Sequence, residues 1–576
     1  MNKELQKKLI DTAAGRVPAD LVIKNCKVVD VYGASIVPGN IALCEGLIAG
    51  VGQYEGRREI DAEGRFAAPG FIDSHIHVES TYVSPEELGR LIVPHGTTTI
   101  ISDPHEITNA CGIAGLEYMI AASKHTALDI KWMLPSCVPA TPFEHSGAVV
   151  DAKAMEQIIG REEILGLGEF MNYPGVISAD SRVLDKLMVA ARRGKPVDGH
   201  SPRITGRELN AYASAGILTD HECTTVGELR DRLSRGMYVL LRLGSACHDL
   251  PELVKAVTPL SSRRCLLCSD DCQPKTILSE GHLNRHLRVC VEAGLDPIVA
   301  IQMASLNAAE CYGLTDRGAI KPGLRADIVL LDDLASFRAR RVFIAGREVA
   351  ADGRYLPEVT KHDISAVRGR FRVRDFSADR LRLNVNSDRA HVIAMMPGGV
   401  VTRNEIAEIT RDENGCFVYD PARDIVKIAV VERHHGTGNV AVALLKDYGL
   451  KRGAIALSIA HDSHNIIVVG TSNADMAYAV QKLIEQDGGI VLVHEQSVLE
   501  SLPMPIAGLM SDQSGKWVDE MLTRIHRTAV DVLGVRDNLE PVMQLCFMAL
   551  PVIPELKLTD MGLFDVIKFD FISIEA

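Results

Sequence analysis

No uninterrupted apolar run among the 576 residues reaches the roughly 18 needed for a membrane helix, so a helical membrane protein is excluded. The first residues, Met1 to Lys7, read as a charged amphipathic helix and not as a secretory leader, which makes the cytoplasm the expected compartment. Positive charge is in deficit: 62 Lys and Arg face 75 Asp and Glu, for a formal charge of -13. A phosphate-backbone partner needs a basic surface, so nucleic acid is excluded and a small-molecule substrate is expected. A disulfide framework is absent as well. The 13 Cys are odd in number and scattered, the pattern of reduced buried thiols. There is no internal repeat or low-complexity tract. The Gly-rich stretch Glu432 to Gly438 lacks the spacing of a P-loop or a dinucleotide fingerprint, so no nucleotide cofactor is expected.

What the chain does have is a pair of imidazoles at the end of an apolar run, in Pro69-Gly70-Phe71-Ile72-Asp73-Ser74-His75-Ile76-His77. Alternate strand side chains share a face, so His75 and His77 converge while Ile76 packs behind them. Neutral imidazole is the commonest metal ligand. Asp73 and Glu79 are placed to orient the ring N–H groups from behind, and Gly70 to turn the chain sharply before the strand.

Between residues 66 and 317, short β-branched or apolar runs alternate with helical patterns, the signature of βα units and a parallel sheet. About eight runs can be counted, as a closed (β/α)8 barrel requires. They are Phe66–His77, Gly96–Ser102, Asp129–Leu134, Ile164–Glu169, Pro196–His200, Gly216–His221, Tyr238–Leu243 and Cys265–Asp270. Polar residues collect at their C-terminal ends, the edge at which barrel enzymes place their chemistry. Residues 1–65 and 318–364 read as short β segments that pair into one small sandwich, and residues 365–576 as a separate C-terminal α+β domain. The fold class expected is therefore α/β, with a TIM-like barrel at its centre.

Collecting the edge residues gives His75, His77, Glu169, His200, His221 and Asp270. Taken singly, Glu169 or Asp270 could cap a helix, and His200 or His221 could be a satisfied core histidine. Their joint placement at one barrel edge points instead to two divalent ions. Glu169 would bridge, with His75, His77 and Asp270 on one ion and His200 and His221 on the other. Ions about 3.5 to 4 Å apart lower the pKa of a water between them and make hydroxide available near neutral pH. A donor set of nitrogen and oxygen without thiolate suits Mn, Fe or Zn, the bridging carboxylate leans toward the harder Mn and Fe, and Mn(2+) is the ion expected first. The combination His77-Val78-Glu79 with Cys265-Leu266-Leu267-Cys268 superficially matches the zinc nucleoside deaminase pattern. Arg264 stands where that pattern wants Pro, and the halves lie a whole barrel apart.

Pro69 to His77 together with Gly318 to Leu331 resembles the amidohydrolase superfamily. Longer stretches are similar to the bacterial adenine deaminases in particular. These are Ser102 to Ile107, Gly168 to Val176, Asp198-Gly199-His200, Glu208 to Tyr212, Cys268 to Asp271, Val440 to Gly453, His461 to Asn465 and Val468 to Gly470. Glu169 stands where many relatives use a carboxylated lysine. Leu243 follows Arg242 where that family usually has Glu.

The resemblance implies a hydrolase of cyclic amidines that converts adenine and water to hypoxanthine and ammonia in purine salvage or catabolism. Asp270 would shuttle the proton, and Glu106 or His105 would serve a ring nitrogen. Asp198 would orient a ligand imidazole, and Arg242 and Asp271 would line the site. His434, His435, His461 and His464 could cover the barrel mouth, bind a further metal or serve an oligomer interface. A homodimer is expected. Two other classes share these features: an amidohydrolase acting on another aminopurine or a cyclic amide, and a barrel retained as a non-enzymatic scaffold.

Overall fold

The computed structural model describes residues 2–397 and 399–576. Its centre is a barrel of eight strands: β1 (Phe71–Ile76), β2 (Thr97–Ser102), β3 (Asp129–Leu134), β4 (Ile164–Phe170), β5 (Val197–Gly199), β6 (Thr219–Asp220), β7 (Tyr238–Arg242) and β8 (Cys265–Cys268). The strands pair in the orders β5-β4-β3-β2-β1 and β6-β7-β8, all parallel. Backbone contacts close the two seams. Leu218 N–H donates to Val197 O at 2.9 Å between β5 and β6, and Asp270 N–H donates to His75 O at 2.9 Å beside β1.

Strands covered on both faces should be buried throughout, and β2, Thr97-Thr98-Thr99-Ile100-Ile101-Ser102, is buried at every position, its polar members included. The period of two then sorts side chains between two cores. Ile72, Ile101, Met133, Leu240 and Leu266 form one cluster with Ala308 and Tyr312. Their neighbours Phe71, Ile100, Trp132, Val239 and Leu267 pack on the other side with the surrounding helices. Local capping stops those helices where the sequence says it should. Asp180 caps Ser181–Arg192, and Thr225 with Glu228 forms a capping box at Val226–Ser234.

The run Phe66 to His77 is two strands and not one. Phe66–Pro69 pairs with Leu21–Asp30 on one side and Ile328–Leu331 on the other, and β1 begins only after Gly70. Gly70 has no left-handed φ. Its missing side chain matters because a Cβ there would run into the Thr98 side chain on β2. The two flanks together build one nine-stranded sheet around a core that includes Ile23, Ile41, Ile328 and Phe343.

The C-terminal region carries an eight-stranded sheet, from Thr402–Glu408 at one edge to Ser497–Pro503 at the other. Helices Asn473–Glu485 and Gly515–Asp531 accompany it, capped by Ser472 and Ser514. The loop between Ala454–Leu457 and Ile466–Gly470 leaves this sheet toward the barrel. Asn465 Nδ2 donates to His145 O at 2.8 Å, tying the loop to the long connection after β3. Among the described residues, no helix is long and apolar enough to cross a membrane.

Candidate metal centre

Backbone geometry places the donors before any side chain chooses a rotamer. His75 and His77 lie on the same face at the end of β1, with their Nε2 atoms 3.2 Å apart. The His77 ring is fixed in orientation: Nδ1 sits 2.9 Å from Asp103 O, which turns Nε2 inward. Asp270 follows β8 with φ 56, a left-handed conformation that aims its carboxylate back at β1. Its Oδ1 lies 3.2 Å from His77 Nε2 and 3.6 Å from His75 Nε2.

Glu169 divides its two oxygens between the halves of the barrel. Oε1 is 3.3 Å from His77 Nε2 and 4.0 Å from His75 Nε2. Oε2 is 2.8 Å from His200 Nδ1 and 3.3 Å from His221 Nε2. The backbone there is held close by a glycine. A Cβ at Gly168 would strike the Asp103 carboxylate, and its absence lets Asp103 Oδ2 accept the Glu169 N–H at 2.8 Å. The His75 and His221 rings stack at 4.2 Å, joining the two halves.

These groups are almost fully buried, with Glu169 2% and His75 1% exposed. Burial alone would push Glu169 up, yet bonds from His200, His221 and His77 hold it well below the usual carboxylate range. Burial likewise opposes the charge on Asp270, and His75 and His77 outweigh it. His75 is lowered by burial and by His221, so it is a neutral ring with a lone pair to offer. Imidazole nitrogens and carboxylate oxygens converging without a thiolate are the donors that a divalent cation of borderline hardness takes. The triads His75, His77, Asp270 and His75, Glu169, His221 each bring their donor atoms within 4.8 Å of one another. The residues present therefore fit two ions sharing Glu169.

Around them, Arg242 donates from Nη1 to Asp270 Oδ2 at 2.9 Å and to Glu222, and from Nε to Asp249 Oδ2 at 2.9 Å. His105 Nδ1 is 3.3 Å from Glu169 Oε1, and its Nε2 is 3.6 Å from Asp462 Oδ1. Glu106 Oε1 accepts from Ser80 Oγ at 2.9 Å and lies 3.2 Å from His461 Nδ1. Ser80 Oγ also reaches Asp271 Oδ1, whose carboxyl is pushed up to about 6 by burial and by Asp270.

Several expectations are corrected. Asp198 does not touch a ligand imidazole. It accepts from Thr219 Oγ1 at 2.9 Å and Tyr312 OH at 3.0 Å, bracing β5 against β6 and the helix below. Asp73 pairs with His282 and Ser269, and Glu79 accepts the Ile107 N–H, so the His77 ring is oriented by the Asp103 carbonyl instead. His434 Nε2 lies 2.6 Å from Ser463 O and His435 Nε2 2.7 Å from Ser146 O. Both support loops and neither reaches the cage. Cys265 and Cys268 are buried in β8. Sequence reasoning missed Asp103, Glu222 and Asp462. Glu222 was legible as the neighbour of His221, but the other two act through contacts that no spacing announces.

An amidohydrolase family model matches residues 66–349, and an adenine deaminase C-terminal domain model matches residues 399–570. The chain is 66% identical to adenine deaminase 2 of Desulfotalea psychrophila over 100% of both chains. The chain belongs to the adenine deaminase family. It is also 49% identical to the adenine deaminases of Ligilactobacillus salivarius, over 100% of each chain, and Nitratidesulfovibrio vulgaris, over 98% of each. The family assignment accounts for both parts of the architecture, the metal-dependent hydrolase barrel and the sheet-rich domain that follows it.

Proposed function

We infer that this chain hydrolyses adenine to hypoxanthine and ammonia. The observation that carries the reading is the division of Glu169 between His77 on one oxygen and His200 and His221 on the other. It is supported by full-length similarity to relatives named adenine deaminase.

In this reading His75, His77 and Asp270 hold one ion, His200 and His221 the other, and Glu169 both. Mn(2+) suits the donors best, with Fe(2+) and Zn(2+) sharing them. When bound, such a pair supplies the Lewis acidity that brings water ionisation near neutral pH. Asp270 Oδ1 faces the imidazoles of His75 and His77, while Arg242 occupies its other oxygen. Oδ1 can take the nucleophile's proton and hand it to the leaving amine at N6. His105 Nδ1 lies against Glu169 at the edge of the cage. Glu106 and Asp271, joined through Ser80, mark the side from which a ring nitrogen is served. We place the enzyme in the cytoplasm as a homodimer, and light scattering at twice the 62.6 kDa chain mass would test the assembly.

The deciding experiment loads the purified protein with Mn(2+) and measures ammonia release from adenine, adenosine, other 6-aminopurines and cyclic ureides in parallel. Adenine is expected to be the best substrate. No ammonia from adenine would overturn the reading, and turnover of a cyclic ureide alone would establish the cyclic-amide alternative.

A further inference from the structure

Attack at C6 of adenine moves the C6–N1 π electrons onto N1, which must then take a proton. The barrel's own residues do not offer one freely. The His105 ring is placed against Glu169, and the Ser80 hydroxyl lies between Glu106 Oε1 and Asp271 Oδ1 and engages both carboxyls. The remaining polar ring comes from the other domain.

His461 lies on the loop that the C-terminal sheet sends to the barrel mouth, and three contacts fix it there. Its Nδ1 is 3.2 Å from Glu106 Oε1, and its ring stacks on Phe547 with centroids 4.4 Å apart. Its backbone N–H donates to Cys546 O at 2.9 Å, and His464 Nδ1 accepts the Ala460 N–H at 3.1 Å to close the loop on itself. With Nδ1 engaged by a carboxylate, the only other polar atom of the ring is Nε2. Among the described residues, the one ion-pair partner of His461 is Glu106, and it is met through Nδ1. An imidazole bonded through one nitrogen to a buried carboxylate is arranged to carry its second proton and present it from the other nitrogen.

We propose that His461, a residue of the C-terminal domain, is the catalytic acid that delivers a proton from Nε2 to N1 of adenine, with Glu106 as its positioning residue. The inference rests on the adenine deaminase reading above. In the step, the C6–O bond forms, the C6–N1 π pair takes the His461 proton at N1, and the ring is left neutral. The C6–N6 bond then breaks as the amine takes the proton carried by Asp270, and its pair leaves as ammonia. Both protons of the water are thereby accounted for: one travels through Asp270 to ammonia, and the other, released when the nucleophile forms, restores His461. The proton gained by N1 stays in hypoxanthine. His461 is raised to about 9: burial opposes its charge, and Glu106, Asp271 and Asp462 together outweigh burial, so the ring is charged at neutral pH. His464, the remaining titratable group on this loop beside it, is driven well down by burial and stays neutral.

The test compares His461→Gln and Glu106→Gln with the Mn-loaded full-length enzyme, with metal content and Tm measured for each. His461→Gln should lower kcat by about 10²- to 10³-fold while KM stays within about threefold and two equivalents of metal remain bound. Glu106→Gln should move the alkaline limb of the kcat/KM profile to lower pH, because the charged ring loses its partner. A fully metallated His461→Gln enzyme with kcat within about threefold of the parent overturns the proposal. Should that variant not fold, an unshifted alkaline limb in Glu106→Gln overturns it instead. Absence of ammonia release by the parent enzyme would count against the adenine reading itself, a separate result.

Discussion

Arg242 Nη1 stands 2.9 Å from Asp270 Oδ2, and this leaves Oδ1 as the oxygen that faces the two imidazoles of β1. The guanidinium also pairs with Glu222 and Asp249, so one buried cation fixes three carboxylates from three different loops. A planar fork suits this task because its donors point in set directions.

Replacing Arg242 with Met should therefore act on the centre without removing a ligand. Activity is expected to fall about 10- to 100-fold, with weaker metal retention, as for other partners that orient a ligand. The uncompensated carboxylates should cost about 3–5 kcal/mol of stability. Turnover, metal content after dialysis and a denaturant titration read the three effects separately, and unchanged metal retention would remove Arg242 from this role.

Glu169→Gln tests the bridge. The amide presents NH2 to one half of the cage where both halves need an acceptor. Bound metal should drop from two equivalents to one or fewer, and adenine turnover should fall to background. A variant that keeps two equivalents and full activity would show that the carboxylate does not bridge.

Chelation should abolish activity and lower Tm together. Without cations, the Glu169 and Asp270 carboxylates and their imidazoles are left buried against one another, and ligand binding to the folded state is itself stabilising. Added Mn(2+) should restore both, as measured by ammonia release and thermal unfolding.

Lys557 supplies a pH-dependent prediction away from the site. Its ammonium is fully buried, donates to Val400 O at 2.9 Å, and is pushed down to about 7 by burial. The unfolded chain binds the extra proton up to the ordinary lysine range, so between about pH 7 and 10.5 stability should rise with pH as this cost disappears. Lys557→Met should raise Tm by about 1–3 °C at pH 6 and progressively less toward pH 10. An equal gain at both pH values would contradict the assignment.

The barrel was legible because β-branched or apolar runs such as β2 and β8, buried at every position, are followed by polar residues, which the local sequence displays. The break at Gly70 was not legible. Phe66–Pro69 is as apolar as β1, and only its pairing with Leu21–Asp30 assigns it to the flanking sheet. The ligand set could be read from strand ends, because a strand's direction fixes where its last side chains arrive. Asp198 was not legible in the same way: closeness to His200 in sequence does not name a partner, and its carboxylate is taken up by Thr219 and Tyr312.

By itself the sequence determined the donor chemistry, the strand ends that carry it and the family, since these depend on residue type and local spacing. The tertiary structure decided which oxygen of Glu169 serves which imidazole, how the left-handed turn at Asp270 aims its carboxylate, and that His461 reaches Glu106 from another domain. These last depend on distances between segments far apart in the chain, and packing of the whole molecule, not local propensity, sets such distances.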